Sequence, residues 1–400
     1  SLLVQNFQGR IVPMHTLCDQ ILRKVSHNNV YGEYNAVQTI MSMHMYQGHW
    51  ARENVIYVSS KSNLREKLGM EGGLISYIDL TNEQTQEFIL ADEHAKAHQK
   101  IESKRNEFDK RLLKLGERYQ VMSMIFRWDY MQLIPMQAHE NNKWFIPFDR
   151  ELVEGDSIAY GFGMRYFTAL NEAPVEGKYG VASDYLSDLK KFQRDAAKNI
   201  VVPSESKVAM EISYNKMNIF KKSYMSYTFL GLGLLVLAFI MIFKPSKKFR
   251  EPVSKIGKSL RMLLFIRWQI SSIIHKILYY IAKYLKPVLV VLVALTFIYH
   301  GYGLYMRWSI SGHAPWSNAY EAVLFIAWVT VAAGLVFTRR NATILAGAAI
   351  LAALMILVTE MNLLDPEITQ LQPVLKSYWL MIHVAVITGS YAPLGIVCIL

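Results

Sequence analysis

Five long apolar segments limit what this chain can fold into. They cover residues 225–243, 287–306, 322–338, 341–359 and 377–400, and none of them contains Lys, Arg, Asp or Glu. A helix needs about 20 apolar residues to cross the hydrocarbon core of a bilayer. Helices and closed barrels are the structures that satisfy every backbone hydrogen bond there. The sequence therefore predicts an α-helical membrane protein with about five transmembrane helices.

The positive charge of the chain is concentrated in its second part. Residues 1–243 contain 28 basic and 27 acidic side chains, whereas residues 244–400 contain 15 basic and 5 acidic ones. Because these basic residues lie between apolar segments, they indicate contact with a membrane surface and not with nucleic acid. The two cysteines, Cys18 and Cys398, exclude a disulfide scaffold and any multi-cysteine metal site.

A sixth segment, residues 260–284, is apolar on one helical face only. It contains Arg261, Arg267, His275, Lys276 and Lys283. Each Lys or Arg near the bilayer centre costs about 2.5–3.5 kcal/mol on insertion scales. Since the leucines and isoleucines recur at helical spacing, the segment is predicted to be an amphipathic helix on the membrane surface.

The loops between the apolar segments predict the orientation. Residues 244–286 hold eleven Lys and Arg and a single acid, so this basic loop is expected in the cytoplasm. Alternation places Arg339–Arg340 on the same side. The loops 307–321 and 360–376 and the polar region 1–222 then lie on the periplasmic side of a bacterial inner membrane.

The polar region is predicted to be an extracytoplasmic mixed α/β domain over residues 1–222, followed by a first transmembrane helix at 223–243. Apolar periodicity predicts helices, and clusters of β-branched and aromatic residues predict strands. The predicted helices are 11–25, 34–46, 85–118 and 184–199, the predicted strands are 55–59 and 74–80, and residues 213–222 lead into the first span.

Two histidines of the polar region have the spacing of metal ligands. His94 and His98 are four residues apart and share a helix face, where Asp92 or Glu93 would join them in a zinc site. The pair lacks a clear third ligand, however, and the surrounding helix has the mixed charges of a solvated face. A zinc site and a plain surface helix both fit the sequence.

The loop at 307–321 is unusually dense in polar and aromatic residues. Its core reads Gly-His-x-Pro-x-Ser-Asn-x-Tyr-Glu, from Gly312 to Glu321. An interfacial aromatic belt explains the aromatic residues but not the polar pattern. Ser317 is predicted to cap the N-terminus of the next helix, with Glu321 in its first turn.

His383 lies inside the last apolar segment. It follows Lys376 by seven residues, roughly 10 Å along a helix, which places it near the outer end of the span. Trp379, Ile387 and Tyr391 share its helical face. A histidine within a span is a candidate haem ligand, or it forms a hydrogen bond to a neighbouring helix. His300 is a second histidine within a span.

These motifs resemble those of the system II cytochrome c synthases of the CcsA (ResC) type. The resemblance rests on Arg307-Trp308, on the run Gly312–Glu321, and on Ser377-Tyr378-Trp379-Leu380-x-x-His383-Val384. It covers about residues 286–400. The upstream residues Gly9–Pro13 and Thr16-Leu17 are similar, less specifically, to the region before CcsA in fused CcsB–CcsA proteins of Bacteroidetes-like bacteria.

The resemblance implies the function and the site. Family members deliver haem to the outer face and attach it to the CxxCH cysteines of apocytochrome c. His383 matches an axial haem ligand, and residues near the haem are implied at the motif positions, whereas His300 is a candidate haem-binding residue only as a histidine within a span. These motif positions are His313, Trp316, Asn318, Tyr320, Glu321 and Trp379. The tryptophan-rich loop and the second axial histidine are expected beyond Leu400, so the chain is interpreted as a fragment that is inactive alone.

The implied cofactor is haem b, both substrate and bound ligand. The implied partners are apocytochrome c, a CcsB/ResB-type partner or fused domain, a thiol reductant system and the lipid membrane, with no nucleic acid. Two alternatives stay open at this point: a haem-handling membrane protein of the CcmC/CcmF type, and a membrane assembly scaffold without catalytic activity.

Overall fold

The computed structural model describes residues 1–136, 143–196, 202–242, 258–338, 342–361, 363–369 and 377–399. The chain divides into two compact units, Ser1–Ile212 and Ser213–Leu400. Helices predominate in both units. Arg339, Arg340 and most of the basic loop before residue 258 lie outside the described residues, as does the side chain of Cys398.

The first unit is built from helices joined by short antiparallel strand pairs. Its strand pairs are β1 (Leu3–Gln5) with β2 (Ile11–Pro13), β3 (Val30–Tyr31) with β4 (Tyr34–Asn35), β5 (Ile56–Tyr57) with β6 (Leu74–Ile75), and β7 (Ile134–Pro135) with β8 (Trp144–Phe145). Its helices are α1 (Met14–Ser26), α2 (Ala36–Met45), α3 (Gln47–Trp50), α4 (Leu64–Lys67), α5 (Ala91–Gln99), α6 (Glu107–Phe126), α7 (Arg150–Gly155), α8 (Ser157–Glu176) and α9 (Tyr179–Ala196). Since each described sheet has two strands, the expected mixed α/β character is only weakly supported.

The core of this unit forms where the apolar faces of α1, α2 and α6 meet. Leu22 and Ile40 are fully buried there, together with Leu112 and Ile125. The helix α2 starts at a capping box, in which the Asn35 side chain accepts from the Gln38 amide and the Gln38 side chain accepts from the Asn35 amide. The apolar residues whose spacing predicted these helices therefore form the faces that the helices bury.

The prediction of one long helix over residues 85–118 is wrong. The chain forms α5, a short 3₁₀ turn at Glu102–Lys104 and then α6. Asn106 stops a continuous helix because it caps α6, with its side chain 2.8 Å from the Asp109 amide. The Arg105 guanidinium turns back and donates to the carbonyls of Ala97 and His98, which closes the end of α5.

Of the two histidines on α5, His94 has a packing role, whereas His98 is exposed. A Cβ on Gly116 of α6 would lie 2.4 Å from the His94 ring, so the ring occupies the space that this glycine leaves. The His94 ring also meets Phe88 edge to face. In the part of the chain that the structure describes, no group of three His, Cys, Asp or Glu side chains is placed to hold a metal ion.

The second unit is a bundle of long apolar helices. After α10 (Glu205–Met217) come α11 (Ile219–Ile242), α12 (Lys258–Ser311), α13 (Ala319–Phe337), α14 (Ala342–Glu360) and α15 (Tyr378–Ile399). Within the described residues, four helical segments are long and apolar enough to cross a membrane: Glu205–Ile242, Met262–Ser311, Ala319–Phe337 and Ala342–Glu360. The fifth predicted span forms α15, a helix that is not among these four.

Small residues let the helices of this bundle pack closely. A Cβ on Gly334 of α13 would lie 2.6 Å from the Ala348 Cβ of α14, and a Cβ on Gly231 of α11 would lie 3.2 Å from the Ala349 Cβ. Such contacts stabilise helices in lipid, where burial of apolar surface gives no driving force for association. α14 is thus held between α11 and α13.

The segment 260–284 and the span 287–306 form one helix, and not the two that the sequence predicted. α12 runs without a break from Lys258 to Ser311, with Pro287 inside it. Proline has a helical φ and loses one hydrogen bond, a loss that helices of membrane proteins tolerate. The location of 260–284 on the membrane surface stays a prediction.

We expect the first unit to lose stability as the pH falls from 6.5 to 4. His44 of α2 is buried, its Nδ1 donates to the Ile40 carbonyl at 2.7 Å, and burial lowers its pKa to about 4. The unfolded chain takes up a proton near pH 6.5, so stability is full above that pH and falls by roughly 3 kcal/mol towards the folded pKa.

The measurement is amide hydrogen exchange of α2 at pH 6.5 and pH 4.5, corrected for intrinsic exchange rates. His44→Phe keeps the edge contact with Trp128 and removes the titrating group. The substitution should reduce the difference in α2 exchange between pH 6.5 and pH 4.5. An unreduced difference would contradict the role of His44.

Candidate functional site

The loop between α12 and α13 is built by its local sequence. Gly312 ends α12 with a φ of +76°, a conformation that glycine adopts without strain. Asn318 caps α13, since its side chain accepts from the Glu321 amide at 2.8 Å. The prediction of a cap at Ser317 is wrong by one residue. The Ser317 hydroxyl instead lies 2.8 Å from the Ala314 carbonyl and 2.9 Å from the His313 Nδ1.

A buried ion pair joins the two helices that flank this loop. Arg307 near the end of α12 and Glu321 in the first turn of α13 are both 0% exposed. The Arg307 Nε and Nη2 donate to the Glu321 Oε1 at 3.1 and 2.9 Å. The other carboxylate oxygen accepts from the Ser317 amide at 3.0 Å. The charge-assisted bonds thereby fix the start of α13 against the end of α12.

Arg307 has further partners on α10 and on the segment that leads towards α15. Its Nη1 donates to the Pro366 carbonyl at 2.9 Å and to the Tyr214 hydroxyl at 3.2 Å. Its guanidinium carbon lies 4.9 Å from the centre of the Tyr320 ring. A planar guanidinium suits this position, because it donates in several directions at once and also stacks on an aromatic face.

His313 holds the same segment from the loop side. Its Nε2 lies 3.1 Å from the Thr369 carbonyl, and its Nδ1 faces the Ser317 hydroxyl. A carbonyl oxygen only accepts, so Nε2 is the protonated nitrogen in this contact. Both ring nitrogens are thus engaged, and neither is available as an iron ligand in this arrangement.

Trp316 connects the loop directly to α15. Its indole Nε1 donates to the Met381 carbonyl at 3.2 Å, and its ring lies 4.8 Å from that of Phe325 in α13. Met381 is two residues before His383 along α15. Trp316 therefore fixes the N-terminal part of α15 beside α13, and with it the position of the His383 backbone.

His383 lines an open depression on the surface of α15. The depression has a volume of about 550 Å³ and is lined by Trp379, Leu380, Ile382, His383 and Val386. His383 is exposed, and the Trp379 side chain is 77% exposed. An exposed imidazole beside an aromatic ring in an apolar depression is a donor set that suits a flat, apolar, iron-containing ligand.

The structure separates the candidate residues into two groups. His383 and Trp379 line the depression, as their shared helical face predicted, whereas Ile387 and Tyr391 are not among its lining residues. His313, Trp316, Asn318, Tyr320 and Glu321 form the hydrogen-bonded loop that holds α15. Arg307 is a site residue that was not predicted from the sequence, although one Arg and one Glu at adjacent ends of charge-free spans are the signal for such a pair.

His300 belongs to neither group. It is fully buried in the second unit, with its ring centre 5.5 Å from that of Phe220 and 5.9 Å from that of Tyr227. Neither of its ring nitrogens has a hydrogen-bond partner within the described residues. It does not line the depression that contains His383.

Comparison with known proteins gives consistent matches. Residues 316–400 match the cytochrome C assembly protein family. The whole chain is similar to the protein NrfI of Wolinella succinogenes, with 28% identity over 399 residues that cover 99% of this chain and 40% of NrfI. The cytochrome c biogenesis protein CcsA of Prochlorococcus marinus is 32% identical over 151 residues, 36% of this chain and 46% of that protein. The chain thus spans less than half the length of these relatives.

We expect Glu321→Gln to destabilise the second unit strongly. The substitution keeps the size of the side chain but leaves the Arg307 charge buried without its carboxylate, a loss of about 3–5 kcal/mol for comparable pairs. The measurement is thermal unfolding in detergent. Asp365→Asn, at an exposed carboxylate, is the matched control and should unfold like the wild type. Equal melting of all three proteins would contradict the importance of the pair.

We expect Trp316→Phe to loosen the first turn of α15. Phenylalanine keeps an aromatic ring beside Phe325 but has no N–H to donate to the Met381 carbonyl. Amide hydrogen exchange over residues 379–385 should become faster in the variant. Trp308→Phe, at a half-exposed tryptophan on α12, is the control and should leave that exchange unchanged. Unchanged exchange in Trp316→Phe would show that the hydrogen bond does not hold α15.

Proposed function

We propose that the protein acts in cytochrome c biogenesis, because residues 316–400 match the cytochrome c assembly protein family. In this proposal it holds haem b at the outer end of α15 while the haem is attached to the CxxCH cysteines of apocytochrome c. The observation that carries the proposal is the depression where His383 and Trp379 lie together on a helix that the loop motif fixes.

His383 is the proposed axial ligand of the haem iron. Neutral imidazole is a common iron ligand, and this ring lies in the depression among apolar side chains. Trp379 offers an exposed aromatic face to the porphyrin. Haem itself supplies the vinyl groups that react, and the protein's contribution is to hold and orient it.

The loop residues have a positioning role in this proposal. Arg307 and His313 hold the carbonyls of Pro366 and Thr369, and Trp316 holds that of Met381, so the chain is fixed on both sides of the start of α15. A ligand must be held within a fraction of an ångström for efficient reaction. The motif from Gly312 to Glu321 thus supports the haem site through α15 without contributing an iron ligand.

The same proposal includes the orientation and the partners. The protein is a multi-pass membrane protein, and we place residues 1–222 and the loops 307–321 and 360–376 on the periplasmic side of a bacterial inner membrane. The basic residues between the first and second spans support this orientation. A CcsB/ResB-type partner or fused domain and a thiol reductant that keeps the CxxCH cysteines reduced complete the set of proposed partners.

We expect His383→Ala to lose bound haem and haem attachment. The test is co-expression of the protein, at the full length of its relatives, with an apocytochrome c, followed by the visible spectrum of the purified membrane protein and haem staining of the cytochrome on a denaturing gel. Added imidazole should partly restore the spectrum, because it fills the empty ligand position. His49→Ala, at an exposed histidine of the first unit, is the control.

Two outcomes would overturn the proposal. A spectrum and haem staining in His383→Ala equal to those of the wild type would remove His383 as the ligand. Wild-type protein that neither binds haem nor supports attachment would favour an assembly scaffold without catalytic activity.

A further inference from the structure

Helix α12 is much longer than a bilayer is thick. Its 54 residues extend about 80 Å, whereas the hydrocarbon core of a membrane is about 30 Å thick and the whole bilayer about 45 Å. Tilt does not remove the difference, since transmembrane helices tilt by up to about 40°. A large part of α12 therefore projects beyond the hydrocarbon core.

The projecting part is the N-terminal half. Residues 287–311 contain buried side chains that pack in the bundle, among them Val293, His300, Leu304 and Arg307. In residues 262–286, by contrast, Ala282 is the one buried side chain of this described stretch. We refer to residues 258–286 as the arm.

One face of the arm carries a heptad repeat of large apolar residues. Leu263, Ile270, Ile277 and Tyr284 are seven residues apart at the a positions, and Ile266, Ile273 and Tyr280 occupy the d positions. All seven side chains are between 40% and 69% exposed. A repeat of 3.5 residues sustained over three heptads is typical of a helix that pairs with another helix. We refer to these seven residues as the seam.

The face opposite the seam is already covered in part. Trp268, His275 and Ala282 occupy the f positions and are half-buried or buried. The seam lies opposite this covered face, and its side chains are exposed, as are those of Ile274, Leu278 and Ile281 on the neighbouring faces. Side chains of this size are rarely left in contact with water along a whole helix face.

The charges beside the seam fit a second, parallel copy. In a parallel pair each g residue faces the e residue of the next heptad on the other helix. Here Lys276 would face Ile281 and Lys283 would face Val288, so no two basic residues oppose each other. An antiparallel pair would bring the lysines together instead. Two copies in the same membrane are parallel by necessity, with their arms at the same height.

We propose that the arm pairs with the arm of a second copy of this chain, in parallel and in register along the seam. The pairing removes the seam from water and lets the Lys276 and Lys283 stems cover Ile281 and Val288 of the other copy. It is independent of the proposed haem site, since the arm and α15 are different parts of the second unit.

The test is disulfide cross-linking between single cysteines in native membranes. Cys398→Ser removes one native thiol, and Cys18 stays in place because it is fully buried and burial raises its thiol pKa. Ile273→Cys and Ile277→Cys lie on the seam. Leu278→Cys and Ser271→Cys are the controls on a neighbouring face of the same exposed helix. We expect oxidation to give a dimer band for the seam positions that the controls lack.

A second variant tests the register through charge. Ile281→Lys places a lysine opposite Lys276 of the other copy, and the Ile277→Cys cross-link should be lost in that background. Leu278→Lys adds the same charge away from the seam and should leave the cross-link intact. Equal cross-linking of both variants would overturn the parallel register.

Two further results would overturn the proposal. One is the absence of cross-links at both seam positions. The other is quenching of a fluorescent label at Ile273→Cys by nitroxide-carrying lipids in anionic vesicles, which would place the seam on a lipid surface and not on a second copy. Haem attachment by the wild type is measured in the same membranes, so a failure of the pairing is distinguishable from a failure of the proposed haem function.

Discussion

The buried ion pair between Arg307 and Glu321 is the interaction on which the membrane unit depends. Two opposite charges without solvent exposure are tolerable only when every remaining hydrogen-bonding position is also filled. Here the Ser317 amide fills one position on the carboxylate, and Tyr214 and the Pro366 carbonyl fill positions on the guanidinium. Such a pair adds geometric definition even where its net contribution to stability is small.

The loop connects this fixed ion-pair geometry to α15. The Arg307 pair fixes the start of α13, Asn318 caps that helix, and Trp316 reaches from the loop to the Met381 carbonyl. In an apolar bundle held by small residues and van der Waals contact, a helix can slide or rotate at little cost. Directional hydrogen bonds near its N-terminus set the height and rotation of α15, and so the direction in which its surface depression opens.

The two parts of α12, the arm and the part within the bundle, differ in composition and in surroundings. Where α12 packs in the bundle, its neighbours are the small and apolar residues of other helices. In the arm, the same helix has a seam of seven large apolar side chains with basic residues beside it. The sequence shows a change of composition at Pro287. It does not show that the helix is continuous there, because proline is compatible with either a break or a tolerated kink.

The sequence by itself determined the membrane character, the approximate helices and the shared face of Trp379 and His383, because these follow from segment length and local periodicity. It also held the signal for α6, the Asn106–Asp109 capping box, which the interpretation of 85–118 as one helix overlooked. Only the tertiary structure decided that Glu321 pairs with Arg307, that both nitrogens of His313 are occupied, and that Trp316 holds Met381. Those contacts join residues up to 65 positions apart, and local propensity carries no information on which distant backbone groups will meet.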